Sequence, residues 1–189
     1  MSKLVSILSI FILIGLVPAT TLAQADLPGT DDKCLNDHAE VISKGDTRKI
    51  KKWCRKASKE KIEMMVVTID SLDDFQPRPL SVDRFADSIF NDWDTGYDEA
   101  ADAVMVFISV KENEFRLLLG DNYPDRLRKR AIRIIRKKLV PAFRRRRRST
   151  GIRNVYSSLY FDVVKPHIRA IKAAELKRRS KRRVTDFDQ

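Results

Sequence analysis

The sequence predicts an α/β fold, a layered α/β/α sandwich around a small mixed sheet that includes one β-hairpin. Three observations predict it. "KIEMMVVTI" (61–69) and "AVMVFISV" (103–110) are continuous apolar runs, too short for most helices, the pattern of strands buried on both faces. "EFRLLLG" (114–120) returns from the second run after the short polar "KEN", which reads as a hairpin. Amphipathic segments alternate with these strands, and such alternation implies stacked layers.

The elements follow in order. "MSKLVSILSIFILIGLVPATTLAQA" has a charge at Lys3, an apolar run from Leu4 to Val17 and small residues at Thr21, Ala23 and Ala25. This is the layout of a signal peptide over residues 1–23, cleaved after Ala23, with Ala25 as the alternative. An uncleaved anchor would need about 20 apolar residues. A linker over 24–33, a domain over 34–168 and a basic tail over 169–189 complete the expected organisation. Within the domain, "NDHAEVIS" is a short extended lead-in. Ser43 with Asp46 resembles a capping box, so a helix is expected from Lys44 to Ser58. "VDRFADSIFNDW" places Val82, Phe85, Ala86, Ile89, Phe90 and Trp93 at helical intervals. Pro124 suits a helix start, and that helix is expected to reach Leu139 with Leu127, Ala131, Ile134 and Ile135 inward. Another is expected from Gly151 to before Pro166. The final "IKAAELKRRSKRRVTDFDQ" reads as either a frayed basic helix or disorder.

Composition bounds the function. The net charge of +12 hides an asymmetry: residues 24–125 carry 14 Lys and Arg against 22 Asp and Glu, whereas residues 126–189 carry 23 against 4. The basic half peaks at Arg144, Arg145, Arg146, Arg147 and Arg148. Cys34 and Cys54 are the only cysteines. An oxidising compartment favours a disulfide between them. The alternative is two buried thiols, since Cys54 shares an apolar face with Ile50, Trp53 and Ala57. Two cysteines and two scattered histidines lack zinc-ligand spacing, and no nucleophile elbow or Walker loop is present. His38 and His167 read as surface or packing residues.

In order, the segments resemble the TPM domain family. "NDHAEVIS", "IEMMVVTIDSL", "FADSIFNDWDTG", "DAVMVFISVKENEFRLLLG", "LVPAF" and "GIRNVYSSL" carry the resemblance over about residues 35–165. It implies the α/β fold above, and for some members calcium binding or weak phosphatase activity. Two places depart from the family pattern. Ala101, Asp102 and Ala103 stand where an Asp-Asn-Gly-like triplet is common, and Gly120 is followed by Asp121, Asn122 and Tyr123 instead of a glycine-rich turn. The family's connection between Pro-x-Phe and Gly-Ile usually carries small and acidic residues, whereas here it holds the five arginines.

Two function classes follow. The loops before the first hairpin strand and after the second open on the same side of a sheet. Asp98, Asp102, Asp121 and Asp125 are therefore candidate metal ligands, for calcium or for a metal-activated water in a weak acid phosphatase. The alternative for these acids is solvated loop residues, with Asp125 favouring a helix start. The second class is non-enzymatic. Arg144 to Arg148 with Arg130, Arg133 and Lys137 form a basic face. Adjacent like charges call for a neutralising partner, the alternative being a solvated face that aids solubility. In the periplasm or outside the cell that partner is an anionic membrane surface or an acidic envelope protein, since little nucleic acid is present there. Each basic residue near an anionic membrane contributes about 1 kcal/mol. Many bacterial members carry a C-terminal transmembrane helix, and here a polybasic face is expected in its place. The leading expectation is an exported module docked through its arginines.

Overall fold

The computed structural model describes residues 26–29, 32–79, 81–92 and 102–185. The expected signal peptide, Trp93 and Asp98 lie outside these residues. The sheet has four strands, β1 (Leu35–Asp37), β2 (Met64–Ile69), β3 (Val104–Ser109) and β4 (Glu114–Leu119), in the order β1-β2-β3-β4. β1 and β3 both run parallel to β2, and β4 returns antiparallel to β3, with Ser109 opposite Glu114 and Val104 opposite Leu119. Every residue of β2 and β3 is buried, as their unbroken apolar sequences require. Asn113 closes the hairpin with φ of 54°, a left-handed conformation that asparagine tolerates.

Among the described residues the α-helices are α1 (Lys44–Ser58), α2 (Val82–Asp92), α3 (Asp125–Ile134), α4 (Val140–Arg144), α5 (Arg148–Leu159) and α6 (Lys165–Thr185). The alternation of β2 and β3 divides the core. Met65, Val67, Ile69, Met105 and Phe107 face α2, where Phe85, Ala86 and Ile89 meet them. Met64, Val66, Val104, Val106 and Ile108 face the opposite layer, meeting Ile50 of α1, Leu127 of α3, and Ile152 and Val155 of α5. This is the α/β/α sandwich with a mixed sheet that the sequence predicts.

Local signals explain several boundaries. Ser43 Oγ accepts from the Asp46 amide at 3.3 Å, the cap expected for α1. The reciprocal half of the box comes from elsewhere: Ser43 N–H donates to Ser149 Oγ of α5 at 3.0 Å, and that hydroxyl also donates to Asp46 Oδ2 at 2.7 Å. The starts of α1 and α5 are thus latched together. Cys34 and Cys54 form a disulfide with a Cα–Cα distance of 5.8 Å, tying the lead-in to β1 onto α1. The extended lead-in begins earlier than expected, and "HAEVI" turns back toward α1, with the Val41 and Ile42 amides donating to Asp37 at 3.1 and 2.8 Å.

The two late helices are longer than their prolines suggest. α3 passes through a π turn, Ile135–Leu139, into α4, which contains Pro141; α5 passes through a second, Tyr160–Val164, into α6, which contains Pro166. A proline cannot donate to the carbonyl four residues back, and its ring collides with that group. Those carbonyls belong to Lys137 and Asp162, both inside the π turns, where the wider winding moves them aside. Each helix therefore continues where the sequence suggested an end. α6 carries the terminal stretch as helix to Thr185, and its contacts with the core stop at Ile168 and Ile171.

Candidate functional site

The candidate acids lie at the two ends of the hairpin. β3 and β4 bring them together, the Gly120 amide donating to the Ala103 carbonyl at 2.9 Å. The side chains then diverge. Asp102 is buried, with Oδ1 2.6 Å from His167 Nε2 on α6. Tyr123 covers the pair: its ring stacks on His167 at 4.1 Å between centroids, and its hydroxyl donates to the Asp102 carbonyl at 3.1 Å. Burial, and next the Asp102 carboxylate, push the Tyr123 hydroxyl far above its ordinary range, so it remains a donor. Asp121 is fully exposed and lies 3.9 Å from Arg128. Asp125 is exposed in the first turn of α3. Among the described residues no group of three or more His, Cys, Asp or Glu is placed to hold a metal ion. His38 is exposed as expected. His167 packs as expected, and its partnership with Asp102, 65 residues away, is beyond any local sequence signal.

Arg128 has a different role from its charged neighbours. Its guanidinium donates to the carbonyls of Leu119 at 3.1 Å, Gly120 at 2.6 Å and Tyr123 at 2.9 Å. It closes the β4–α3 turn and is withdrawn from the free basic face. Arg130, Arg133 and Lys137 remain exposed on that face.

Arg144 to Arg148 are all exposed, and among the described residues none of them is in an ion pair. Their backbone closes the end of α4 with hydrogen bonds. The Arg147 amide donates to Ala142 at 2.8 Å and the Arg146 amide to Phe143 at 2.9 Å, with Arg146 at φ 55°. This is the helix C-terminal turn in which glycine is usual. An arginine there costs about 1 kcal/mol in backbone strain. Beyond it, Arg146, Arg147, Arg148, Ser149 and Thr150 border an open concavity of about 330 Å³ beside Val41.

Sequence order misses a second source of positive charge. α1 lies in the acidic half of the chain yet carries Lys44, Arg48, Lys49, Lys51, Lys52, Arg55 and Lys56 against Asp46 alone. Packing places α1 beside α5, so its basic side chains join those of α3 and the arginine turn in one helical layer. The opposite face takes more acids than bases: Asp70, Asp73, Asp74, Asp83, Asp87 and Asp92 lie on α2 and the segment leading to it beside Arg78 and Arg84, while Lys111 and Arg116 reach Asp70 at 2.8 Å and Asp83 at 3.4 Å. A helical reading of "RKIKKWCRK" locates this charge, whereas averaging over a half-chain conceals it.

A protein-family model described as the TPM domain matches residues 35–160. Curated protein sequences yield no match. Among solved structures, the N-terminal domain of a P. gingivalis protein superposes with a TM-score of 0.61 at 20% identity, covering 76% of this chain and 92% of that one. The N-terminal domain of a Corynebacterium glutamicum protein gives a TM-score of 0.52 at 12% identity, covering 73% and 84% respectively. These two likenesses concern the fold. Since the family model spans the complete sheet, the core cluster beneath α2, most of the cluster on the other face and the arginine turn, the chain belongs to the TPM domain family.

Proposed function

We propose that this TPM domain acts as an exported, non-enzymatic docking module, held on an anionic envelope surface or an acidic partner by its basic helical layer. The observation that carries the reading is the exposed arginine turn, which makes no ion pair among the described residues and places an arginine at the strained position of Arg146. Among the described residues no helix is long and apolar enough to cross a membrane, so a peripheral attachment suits this part of the chain. The Cys34–Cys54 bridge fits an oxidising compartment such as the periplasm. Metal-assisted phosphate-ester hydrolysis at the hairpin ends has less support, because Asp102 is engaged with His167 and Asp121 lies beside Arg128.

The experiment is co-sedimentation of the purified protein with vesicles containing phosphatidylglycerol, at low and high salt, beside neutral phosphatidylcholine vesicles. Binding to the anionic vesicles that falls steeply with salt, and falls again when Arg144–Arg148 are changed to glutamine, is the expected result. Equal sedimentation of that variant removes the arginines from the mechanism. Phosphatase turnover that is lost with a chelator and with Asp102→Ala would favour the hydrolase instead.

A further inference from the structure

The same helical layer carries an aromatic cluster that the docking reading leaves unused. Trp53 of α1 stacks on Tyr160 at 5.1 Å between centroids, and Phe161 meets Trp53 edge-on at 4.7 Å. Consecutive residues of an α-helix point about 100° apart. Tyr160 and Phe161 nevertheless reach one partner, and they do so at the start of the second π turn. Trp53 and Tyr160 are half-buried, whereas Phe161, packed edge-on against both rings, is 45% exposed. Cations ring the cluster: Lys56 Nζ lies 4.9 Å and Lys52 Nζ 5.6 Å from the Trp53 ring, and Lys165 Nζ lies 5.8 Å from Phe161. A concavity of about 330 Å³ beside Trp53 is lined by Lys49 and Lys52 of α1 and by Arg153, Asn154 and Ser157 of α5.

Aromatic rings rimmed by lysines are suited to the boundary between headgroups and acyl chains, where the ring enters the apolar side and the ammonium groups stay with the phosphates. An anionic bilayer supplies both halves of this surface at once, phosphates for the lysines and an apolar seat for the ring. We infer that Trp53, Tyr160 and Phe161 form the insertion point through which this domain seats in an anionic phospholipid bilayer, with Phe161 entering deepest. This inference rests on the docking reading and adds to it a lipid ligand and a contact site.

The test uses the fluorescence of Trp53 in a Trp93→Phe background, which leaves it the only tryptophan. Titration with phosphatidylglycerol-containing vesicles is expected to shift its emission to the blue. Lipids brominated near the headgroup end of the acyl chain are expected to quench it. In the otherwise unchanged protein, Phe161→Ser is expected to weaken vesicle binding roughly tenfold, the loss that follows from withdrawing part of a phenyl ring from an apolar seat. Sedimentation with unchanged Trp53 emission, or undiminished binding by Phe161→Ser, overturns the insertion point and leaves arginine docking standing. No sedimentation even at low salt overturns the insertion point together with docking on a phospholipid surface, and leaves an acidic protein partner for the arginines.

Discussion

Arg146 sets two properties against each other. Glycine relieves the left-handed strain at φ 55°, so Arg146→Gly is expected to raise stability by about 1 kcal/mol and to weaken binding to anionic vesicles. Urea denaturation and vesicle sedimentation on the same preparation check both signs, and a variant less stable than wild type would remove the strain. Glu112 offers a second test. Partial burial pulls its carboxyl upward, but donation from Ser109, Ser71 and the Leu72 amide outweighs this and holds it at about 2, below its ordinary 4.5. A carboxyl lowered on folding stabilises above its unfolded pKa, and that contribution disappears as pH falls from about 4.5 to about 2. Glu112→Gln is therefore expected to flatten the acid limb of stability in that window, read as urea midpoint against pH. Gly151 packs so closely on Ala142 that an added Cβ would collide with the Ala142 Cβ. Gly151→Ala is expected to cost about 1–3 kcal/mol by overpacking the contact between α4 and α5. The glycine at position 151 thus has a steric reason.

At the scale of elements, the disulfide joins residues 20 apart in sequence. Closing a loop of that size is worth about 3 kcal/mol in the chain-entropy model. Reduction, or replacement of both cysteines by serine, is expected to lower the thermal midpoint, and an unchanged midpoint would leave the bridge without a stabilising role. The elements also mark how far sequence reading reaches. β2, β3, the hairpin and the capped start of α1 were legible because each follows from a local pattern of apolar runs, turn residues and Ser43. The basic arginine turn was legible for the same reason. The continuations past Pro141 and Pro166 were not, because a π turn depends on how its helix packs, and a proline read alone signals a break. The Asp102–His167 pair and the Ser43–Ser149 latch were equally hidden, since each joins residues brought together only by the fold.

The whole molecule sorts charge by face. A sheet buried on both sides separates the basic layer of α1, α3 and α5 from the acidic layer around α2. Read along the chain, the boundary between acidic and basic halves falls near residue 125, but folding moves α1 across it. This separation has a kinetic consequence. Two oppositely charged faces on one rigid body make a permanent dipole, and the field of a negative surface exerts a torque on it. The molecule is rotated while still diffusing, so that collisions arrive with the helical layer leading and unproductive encounters become rare. At physiological ionic strength the field extends only about 8 Å, which confines the turning to the last moments of approach. In dilute buffer it begins farther out, and the association rate should rise accordingly even where the final attachment is the same.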